Sequence, residues 1–215
     1  MLYLTKEIVR SSLVLSGIYL RIFHSKRFPR RNEIAVCGFP RSGNTYVGRV
    51  VRSSLNDKVG LVNHFHSSAQ LKRAIHLGIP SILVIRNVED VLLSLHIYYN
   101  KKGARIGLWL HFVRYLIYHI SLLRYRKRMI IVRFDDVKND INPIIAILEN
   151  NYHFHCSSEF SVLDVLATIK ADLKPGDELK SSQPNEAKDA LKAKFRHSIN
   201  SHWLLPLVQY IYRKF

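Results

Sequence analysis

Three short apolar runs, each followed by a helical pattern, constrain the fold of this chain more than any other feature. The runs occupy residues 34–38, 82–85 and 129–134. Continuous apolar runs of this length are typical of strands that are buried on both faces of a parallel sheet. Helical patterns follow them at residues 45–55, 88–99 and 142–150. This alternation predicts an α/β fold with a central, mostly parallel sheet in a three-layer arrangement.

The rest of the chain adds helices to this frame. We expect a long helix at residues 107–124, a charged helix at 186–195 and an apolar tail at 203–212 that folds back on the core. No internal repeat divides the 215 residues, and this length suits one domain. We therefore predict a basic amphipathic N-terminal arm, residues 1–31, and a single domain, residues 32–215.

The chain is strongly basic, and its basic residues are unevenly distributed. It has 33 lysines and arginines against 16 acidic residues, which gives a formal net charge of +17. Residues 91–134 include many basic side chains and no acidic one. Net charge does not determine the fold, but it does limit the partners. Nucleic acid, anionic lipid, sulfated or phosphorylated ligands and acidic acceptors all stay open.

The N-terminal arm contains an apolar segment, residues 8–23, that Arg10 and Arg21 interrupt. A helix that spans a bilayer needs about 20 mostly apolar residues, and a signal peptide needs a small-residue cleavage site. We therefore expect neither, and predict an amphipathic helix that packs on its own domain. An interfacial membrane helix is the alternative, with flanking basic residues at Lys26, Arg27, Arg30 and Arg31.

The two cysteines, Cys37 and Cys156, are too few for a disulfide scaffold. His153 and His155 lie close to Cys156, but no second cysteine lies at the spacing of a zinc site. We therefore expect no bound metal and two packed thiols in a reduced, cytoplasmic protein, with peripheral contact with a membrane left open.

The loop after the first predicted strand has a phosphate-binding pattern. Residues 38–45 read GFPRSGNT, which keeps the outer spacing of the P-loop, G-x-x-x-x-G-K-[ST], between a strand and a helix. Backbone N–H groups at such a helix N-terminus can face a phosphate. Asn44 stands where the P-loop has lysine, so Arg41 becomes the candidate cation. An ordinary strand-to-helix turn that needs glycine is the structural alternative.

The second predicted strand ends in an arginine rather than in the aspartate of a nucleotide triphosphatase. Arg86 follows the strand directly, and Ser94 lies about two helical turns further on. Ligands of open α/β sheets bind at the carboxyl ends of the strands, so Arg86 should face the same crevice as the loop. An arginine and a hydroxyl at this place suit a second anionic group better than Mg²⁺.

Together with a third motif, these residues resemble a known family. Residues 39–46, FPRSGNTY, look like the 5′-phosphosulfate loop of sulfotransferases that use 3′-phosphoadenosine 5′-phosphosulfate (PAPS), and residues 86–94 look like their 3′-phosphate segment. Residues 133–140 resemble the later strand-end motif of that family. The resemblance implies a P-loop NTPase-like fold in a sulfotransferase-like domain. It also implies that PAPS is a co-substrate whose sulfuryl group passes to an acceptor hydroxyl.

The resemblance assigns roles to individual residues. Arg41 matches a basic loop residue that contacts the 5′-phosphosulfate and stabilises the leaving phosphate. Arg86 and Ser94 match the ligands of the 3′-phosphate. The remaining cofactor positions are the loop residues Ser42, Gly43, Asn44 and Thr45 and the aromatic residues on the adenine side, Tyr46 and Phe134.

A catalytic base would come from residues 63–68, NHFHSS, where many family members read Lys-Thr-His. Histidine titrates near neutral pH and therefore suits proton transfer. We predict His66 as the general base on the acceptor hydroxyl and place His64 at the position of the lysine. The alternatives are a base at His64 and two surface histidines in a loop.

One family feature has no counterpart in this chain. Many members close the 3′-phosphate site with a late Arg-Lys-Gly motif, which is missing here. The candidate substitutes are Lys180, Ser182 and the basic residues of 188–196.

Two other functions stay open at this point. A P-loop kinase or nucleotide hydrolase could use Asp135 and Asp136 to bind Mg²⁺, although Asn44 in place of lysine speaks against it. A non-catalytic basic module could bind RNA or membrane through tyrosines interleaved with arginines, namely Tyr115, Tyr118 and Tyr125. For the sulfotransferase, the basic surface favours an acidic glycan or a lipid-linked acceptor and allows contact with an anionic membrane. We expect no nucleic-acid partner for this function.

Overall fold

The described part of the chain is built around a parallel β-sheet. The structure, a computed structural model, describes residues 2–22, 28–55, 59–62, 66–101, 103, 106–156, 165, 167–168, 171 and 186–215. Its strands are β1 (Glu33–Gly38), β2 (Gly60–Val62), β3 (Ser81–Ile85) and β4 (Ile130–Arg133). In this part of the chain they form one sheet in the order β2-β1-β3-β4, and every pairing is parallel. The predicted α/β class with a central parallel sheet is therefore confirmed.

Helices cover both faces of this sheet and form both ends of the chain. They are α1 (Leu2–Ser11), α2 (Leu13–Ile22), α3 (Asn44–Ser54), α4 (Ser68–His76), α5 (Val88–Lys101), α6 (Leu108–Ile120), α7 (Phe134–Asn139), α8 (Asn142–Tyr152), α9 (Glu186–Asn200) and α10 (Leu205–Tyr212). A 3-10 helix, Leu123–Arg128, leads into β4. None of the helices that the structure describes is long and apolar enough to cross a bilayer.

The structure differs from the sequence prediction in its shorter elements. The predicted strands correspond to β1, β3 and β4, but β2, α4 and α7 are additional, and none of these three exceeds nine residues. The helix expected at 107–124 ends at Ile120. A short turn separates it from the 3-10 helix Leu123–Arg128. The helix expected at 8–23 is two helices. The break falls at Ser12, whose Oγ accepts a hydrogen bond from the Leu15 N–H (3.3 Å) and so caps α2.

Alternate side chains of the central strands face opposite helical layers. In β1, Ile34 and Val36 pack with α3, α7 and α8, whereas Ala35 and Cys37 pack with α4, α5, α6 and α10. All four are essentially inaccessible to solvent. A strand buried on both faces must be apolar throughout, which is why the runs stand out in the sequence. Because α10 belongs to the second layer, the predicted return of the apolar tail to the core is also confirmed.

The strand order creates a crevice at one place on the sheet. The chain passes from β1 through α3 to β2 on one side, and then through α4 to β3 on the other side of β1. At such a reversal the two connections diverge, so the carboxyl ends of β1 and β3 are left open between them. The loop 38–45 and Arg86 follow these two strand ends. The topology therefore brings the two anion-binding motifs of the sequence to one edge.

Buried polar contacts hold α1 against the rest of the chain. The Arg114 Nε atom in α6 lies 3.2 Å from Glu7 Oε2, and both side chains are almost fully buried. Lys72 Nζ in α4 donates a hydrogen bond to the Ser11 carbonyl at the end of α1 (2.6 Å). Burial raises the pKa of Glu7, and the neighbouring Arg114 cation opposes this rise. The N-terminal helix thus packs on the domain, while the division at residue 31 stays a prediction.

Removal of one member of the buried Glu7–Arg114 pair should be costly. We expect Glu7→Ala to lower the free energy of unfolding by about 3–5 kcal/mol, because it leaves a buried guanidinium without its carboxylate. The double replacement Glu7→Leu with Arg114→Met should cost less than Glu7→Ala alone. As a control, Asp189→Ala breaks the exposed Lys192–Asp189 pair and should cost at most about 1 kcal/mol. Urea denaturation measures all three, and similar losses for Glu7→Ala and Asp189→Ala would contradict the pairing.

Candidate functional site

A cleft of about 290 Å³ opens at the carboxyl ends of β1 and β3. Most of the residues predicted for the site line it, and they are Arg41, Gly43, Asn44, Thr45, His66, Arg86 and Ser94. Ser42, Tyr46 and Phe134 are buried and do not line it. His64 lies outside the described residues, as do its neighbours Asn63 and Phe65. The cleft thus unites segments that are far apart in the sequence.

Gly43 has a conformation and a neighbour that both require glycine. It stands at the N-terminus of α3 with φ +96°, in the left-handed region that side chains disfavour. A Cβ atom at this position would lie 2.1 Å from Cδ2 of Phe134. The Phe134 ring in turn packs edge-on against Tyr46, with centroids 5.7 Å apart. These two aromatic side chains therefore support the loop from beneath.

Asn44 uses its side chain within the protein. Its Nδ2 atom donates to the carbonyl oxygens of Gly38 (3.0 Å) and Phe39 (3.3 Å), and the residue is 3% exposed. The amide therefore ties the first turn of α3 to the end of β1. A P-loop lysine reaches outward to a phosphate instead, so the replacement changes the role of this position.

Arg41 and Ser94 link the loop to α5. Arg41 Nε donates a hydrogen bond to Ser94 Oγ (3.0 Å), and the guanidinium lies 5.4 Å from the centre of the Tyr98 ring. Burial lowers the pKa of Arg41; Tyr98 opposes this shift, and the nearby Arg86 cation adds to it. Two arginines held this close in a partly buried cleft repel each other, and a bound anion would remove that repulsion.

Arg86 is placed to meet an anion beside Arg41. Its guanidinium carbon lies 5.1 Å from the centre of the Phe134 ring, and its Nη2 atom is 3.6 Å from Asp90 Oδ2. Its Nε atom is buried and has no hydrogen-bond partner in the described part of the chain. A buried donor without a partner is costly, so Arg86 Nε is a strong candidate for contact with a ligand.

His66 lies between β2 and α4 in the sequence and lines the same cleft as Arg86. Its Nδ1 atom is 3.0 Å from Asn44 Nδ2 and 3.3 Å from the Gly38 carbonyl oxygen. With its proton on Nδ1, the ring donates to that carbonyl and keeps a lone pair on Nε2, which is the form that a general base needs. With its proton on Nε2, Nδ1 instead accepts from Asn44 Nδ2. The predicted base role therefore requires the tautomer that bonds to Gly38.

Six residues that line the cleft were not predicted from the sequence: the polar or charged Arg10, Tyr98, Tyr99 and Arg114, and the apolar Pro40 and Leu95. Tyr98 lies one helical turn after Ser94, a spacing that could have revealed it. Arg114 belongs to the long stretch without acidic residues. Arg10 gave no local signal, because its place depends on the docking of α1, where Ser67 Oγ donates a hydrogen bond to the Arg10 carbonyl. Of the described residues that line this cleft, none is acidic.

The residues of the alternative functions lie elsewhere. Asp135 and Asp136 are exposed in the first turn of α7 and do not line the cleft. The rings of Tyr115, Tyr118 and Tyr125 are buried. Such positions suit neither a magnesium ligand beside the loop nor a platform for stacked bases.

Of the candidates to complete the 3′-phosphate site, Lys180 and Ser182 lie outside the described residues. Arg196 in α9 lines a separate cleft together with Asn87, Glu89 and Asp90. Asp90 is also the residue that pairs with Arg86, so one carboxylate connects this second cleft to the arginine of the main one.

No group of three or more His, Cys, Asp or Glu side chains that could hold a metal ion occurs among the residues described. Comparisons with protein-family models, with curated proteins and with solved structures gave no match to this chain. The residues of the site form a cationic cleft with a glycine loop, the hydroxyl of Ser94 and the imidazole of His66.

A comparison of two glycines tests the packing of the loop. Gly43 and Gly78 both have positive φ, but a Cβ at Gly78 would meet no atom within 4 Å. Gly78→Ala should therefore cost only the backbone strain, about 1–2 kcal/mol. Gly43→Ala should lower the free energy of unfolding by roughly 1–3 kcal/mol more, because the Phe134 ring must move. Chemical denaturation measures both, and equal losses would show that the ring does not confine Gly43.

Proposed function

We propose that this protein transfers a sulfuryl group from PAPS to an acceptor hydroxyl, on a P-loop NTPase-like fold. The observation that carries the proposal is the hydrogen bond between Arg41 and Ser94. It joins the motif that resembles a 5′-phosphosulfate loop to the motif that resembles a 3′-phosphate segment. Two anion-binding motifs in contact fit a nucleotide with phosphates at both positions better than a nucleotide with one phosphate chain.

In this proposal the cleft holds the donor by its two anionic ends. The backbone of the loop, with Thr45, surrounds the 5′-phosphate, and Arg41 neutralises it. Arg86 and Ser94 bind the 3′-phosphate, and the buried Arg86 Nε gains a partner. Charge-assisted hydrogen bonds of this kind are about twice as strong as neutral ones. The nearby Arg196 is the best-placed described substitute for the missing Arg-Lys-Gly motif.

The chemistry then follows from charge and position. The acceptor oxygen attacks sulfur, a new S–O bond forms, and the bond from sulfur to the bridging oxygen of the donor breaks. His66 Nε2 takes the proton of the acceptor hydroxyl. The leaving group is adenosine 3′,5′-bisphosphate, whose 5′-phosphate gains negative charge, and Arg41 stabilises that charge. The arrangement uses no metal ion.

The residues beyond His66 suggest the class of acceptor. Arg10 brings positive charge to the cleft, and Tyr98 and Tyr99 bring aromatic side chains, whereas the charge of Arg114 is balanced by Glu7. This combination fits an acidic glycan or a lipid-linked hydroxyl. We place the reaction in the cytoplasm, because both cysteines are free thiols.

A P-loop kinase or nucleotide hydrolase is the weaker reading of the same cleft. Its loop lysine is replaced by Asn44, whose amide is committed to the end of β1. Its acidic magnesium ligands would have to be Asp135 and Asp136, and neither lines the cleft. Robust hydrolysis of Mg²⁺-ATP by the unmodified protein would overturn the sulfotransferase proposal.

The affinity for nucleotides tests the donor site without any knowledge of the acceptor. Adenosine 3′,5′-bisphosphate should bind roughly tenfold or more tightly than AMP, because only the former has the 3′-phosphate for Arg86. Arg86→Gln should remove most of this difference and leave the affinity for AMP nearly unchanged. Arg73→Gln, an exposed position on α4, serves as the control. Equal affinity of the unmodified protein for both nucleotides in calorimetric titration would refute the 3′-phosphate site.

The role of His66 is tested by separating turnover from binding. A general base contributes about 10²–10⁴-fold to the rate, so His66→Ala should lower turnover by that factor. Its affinity for adenosine 3′,5′-bisphosphate should stay nearly unchanged, whereas Arg41→Ala should lower both quantities. Slow hydrolysis of PAPS by water serves as the assay until an acceptor is found. If His64→Ala abolishes turnover and His66→Ala is tolerated, the base is His64.

A further inference from the structure

The α2 helix carries an apolar face that the described part of the chain leaves uncovered. Val14 is 72% exposed, Leu15 43% and Ile18 52%. Because side chains three and four positions apart are neighbours on a helix, these three form one continuous face. Scattered exposed apolar residues are ordinary, but three adjacent ones on a single helix mark a contact surface.

This face is held rigidly by the domain. The preceding helix α1 is fixed by Lys72 and by the buried pair of Glu7 and Arg114. Ser16 of α2 is itself buried and donates a hydrogen bond to the Val9 carbonyl (2.8 Å). The opposite side of α2 is therefore occupied, and its apolar face is presented in a defined direction.

Positive charge follows α2 closely in the sequence. A Cβ at Gly17 would lie 3.8 Å from Cε2 of Phe28, so Phe28 lies against α2. Arg30 and Arg31 follow Phe28 directly after Pro29, and both are exposed. An exposed apolar face with exposed arginines shortly after it in the chain fits the boundary between acyl chains and anionic headgroups.

A second copy of the chain fits this surface poorly. Two chains of net charge +17 repel each other, whereas an anionic surface attracts either one. A stable dimer also buries about 800 Å² on each partner, far more than three side chains offer. We propose that α2 docks the protein on an anionic lipid bilayer, with Val14, Leu15 and Ile18 in the interfacial region and Arg30 and Arg31 against the headgroups.

Vesicle sedimentation with the full chain tests this docking. The vesicles contain phosphatidylcholine alone or with about 30% phosphatidylserine, at about 0.1 M or 1 M salt. The protein should sediment with the anionic vesicles only, and less at high salt. Arg30→Gln with Arg31→Gln should weaken the partitioning about 25-fold, since each basic residue at the surface contributes about fivefold.

Two isoleucines of similar exposure, Ile18 at 52% and Ile120 at 50%, provide the matched pair. Ile18→Gln should weaken partitioning roughly tenfold or more. Ile120→Gln, at the end of α6, should leave it unchanged. Val14→Gln repeats the test at the most exposed position of α2, and circular dichroism confirms that each variant is folded.

Four results would overturn the proposal. They are absence of sedimentation with anionic vesicles, equal binding to neutral vesicles, equal losses for Ile18→Gln and Ile120→Gln, and a dimer in analytical ultracentrifugation that Ile18→Gln dissociates. The last result would assign the face to a second copy of the chain. Because none of these measurements involves PAPS or turnover, failure of the docking is distinguishable from failure of the proposed reaction.

Discussion

The hydrogen bond from Arg41 to Ser94 unites two segments that the sheet only brings near each other. It connects the loop after β1 to the second turn of α5, across 53 residues of sequence. Separate contacts hold the loop, Arg86 and α1 in place around this hydrogen bond. Asn44 holds the loop to β1, the Phe134 ring lies against Gly43 and Arg86, and Arg114 holds α1 in place. The positive charge of the cleft is thus preorganised, which matters because reorganisation of charge during a reaction is expensive.

The sheet was predictable because a strand that is buried on both faces consists almost entirely of apolar residues. Apart from the buried Glu33 and Ser81 at their first positions, β1 and β3 are apolar throughout or end in glycine, so each appears as an unbroken run. β2 is an edge strand of three residues, half exposed, and its sequence has no such constraint. The break at Ser12 was equally hidden, since a serine within an apolar segment fits both a continuous helix and a new N-cap.

The loop and Arg86 were predictable for a different reason. Their spacing follows from where parallel strands end, and strand ends could be read from the apolar runs. The far side of the cleft follows from tertiary packing, which no local pattern records. Arg10 reaches it only because Glu7 finds Arg114, 107 residues away, and because Ser67 meets the end of α1. The burial of Tyr46 and Phe134 beneath the loop also depends on tertiary packing, so the sequence did not predict it.

The docking of α1 has a consequence for biosynthesis. α1 is made well before the residues that hold it, because Lys72 and Arg114 follow their partners by 61 and 107 residues. At a typical rate of synthesis of roughly 5–20 residues per second, several seconds or more pass between the synthesis of Glu7 and that of Arg114. The Glu7 carboxylate cannot be buried against Arg114 before then. Closure of the cleft is therefore a late, long-range step in folding, and contacts of such sequence separation form slowly. A nascent chain therefore has the glycine loop available before Arg114 can hold α1 and so bring Arg10 to the cleft.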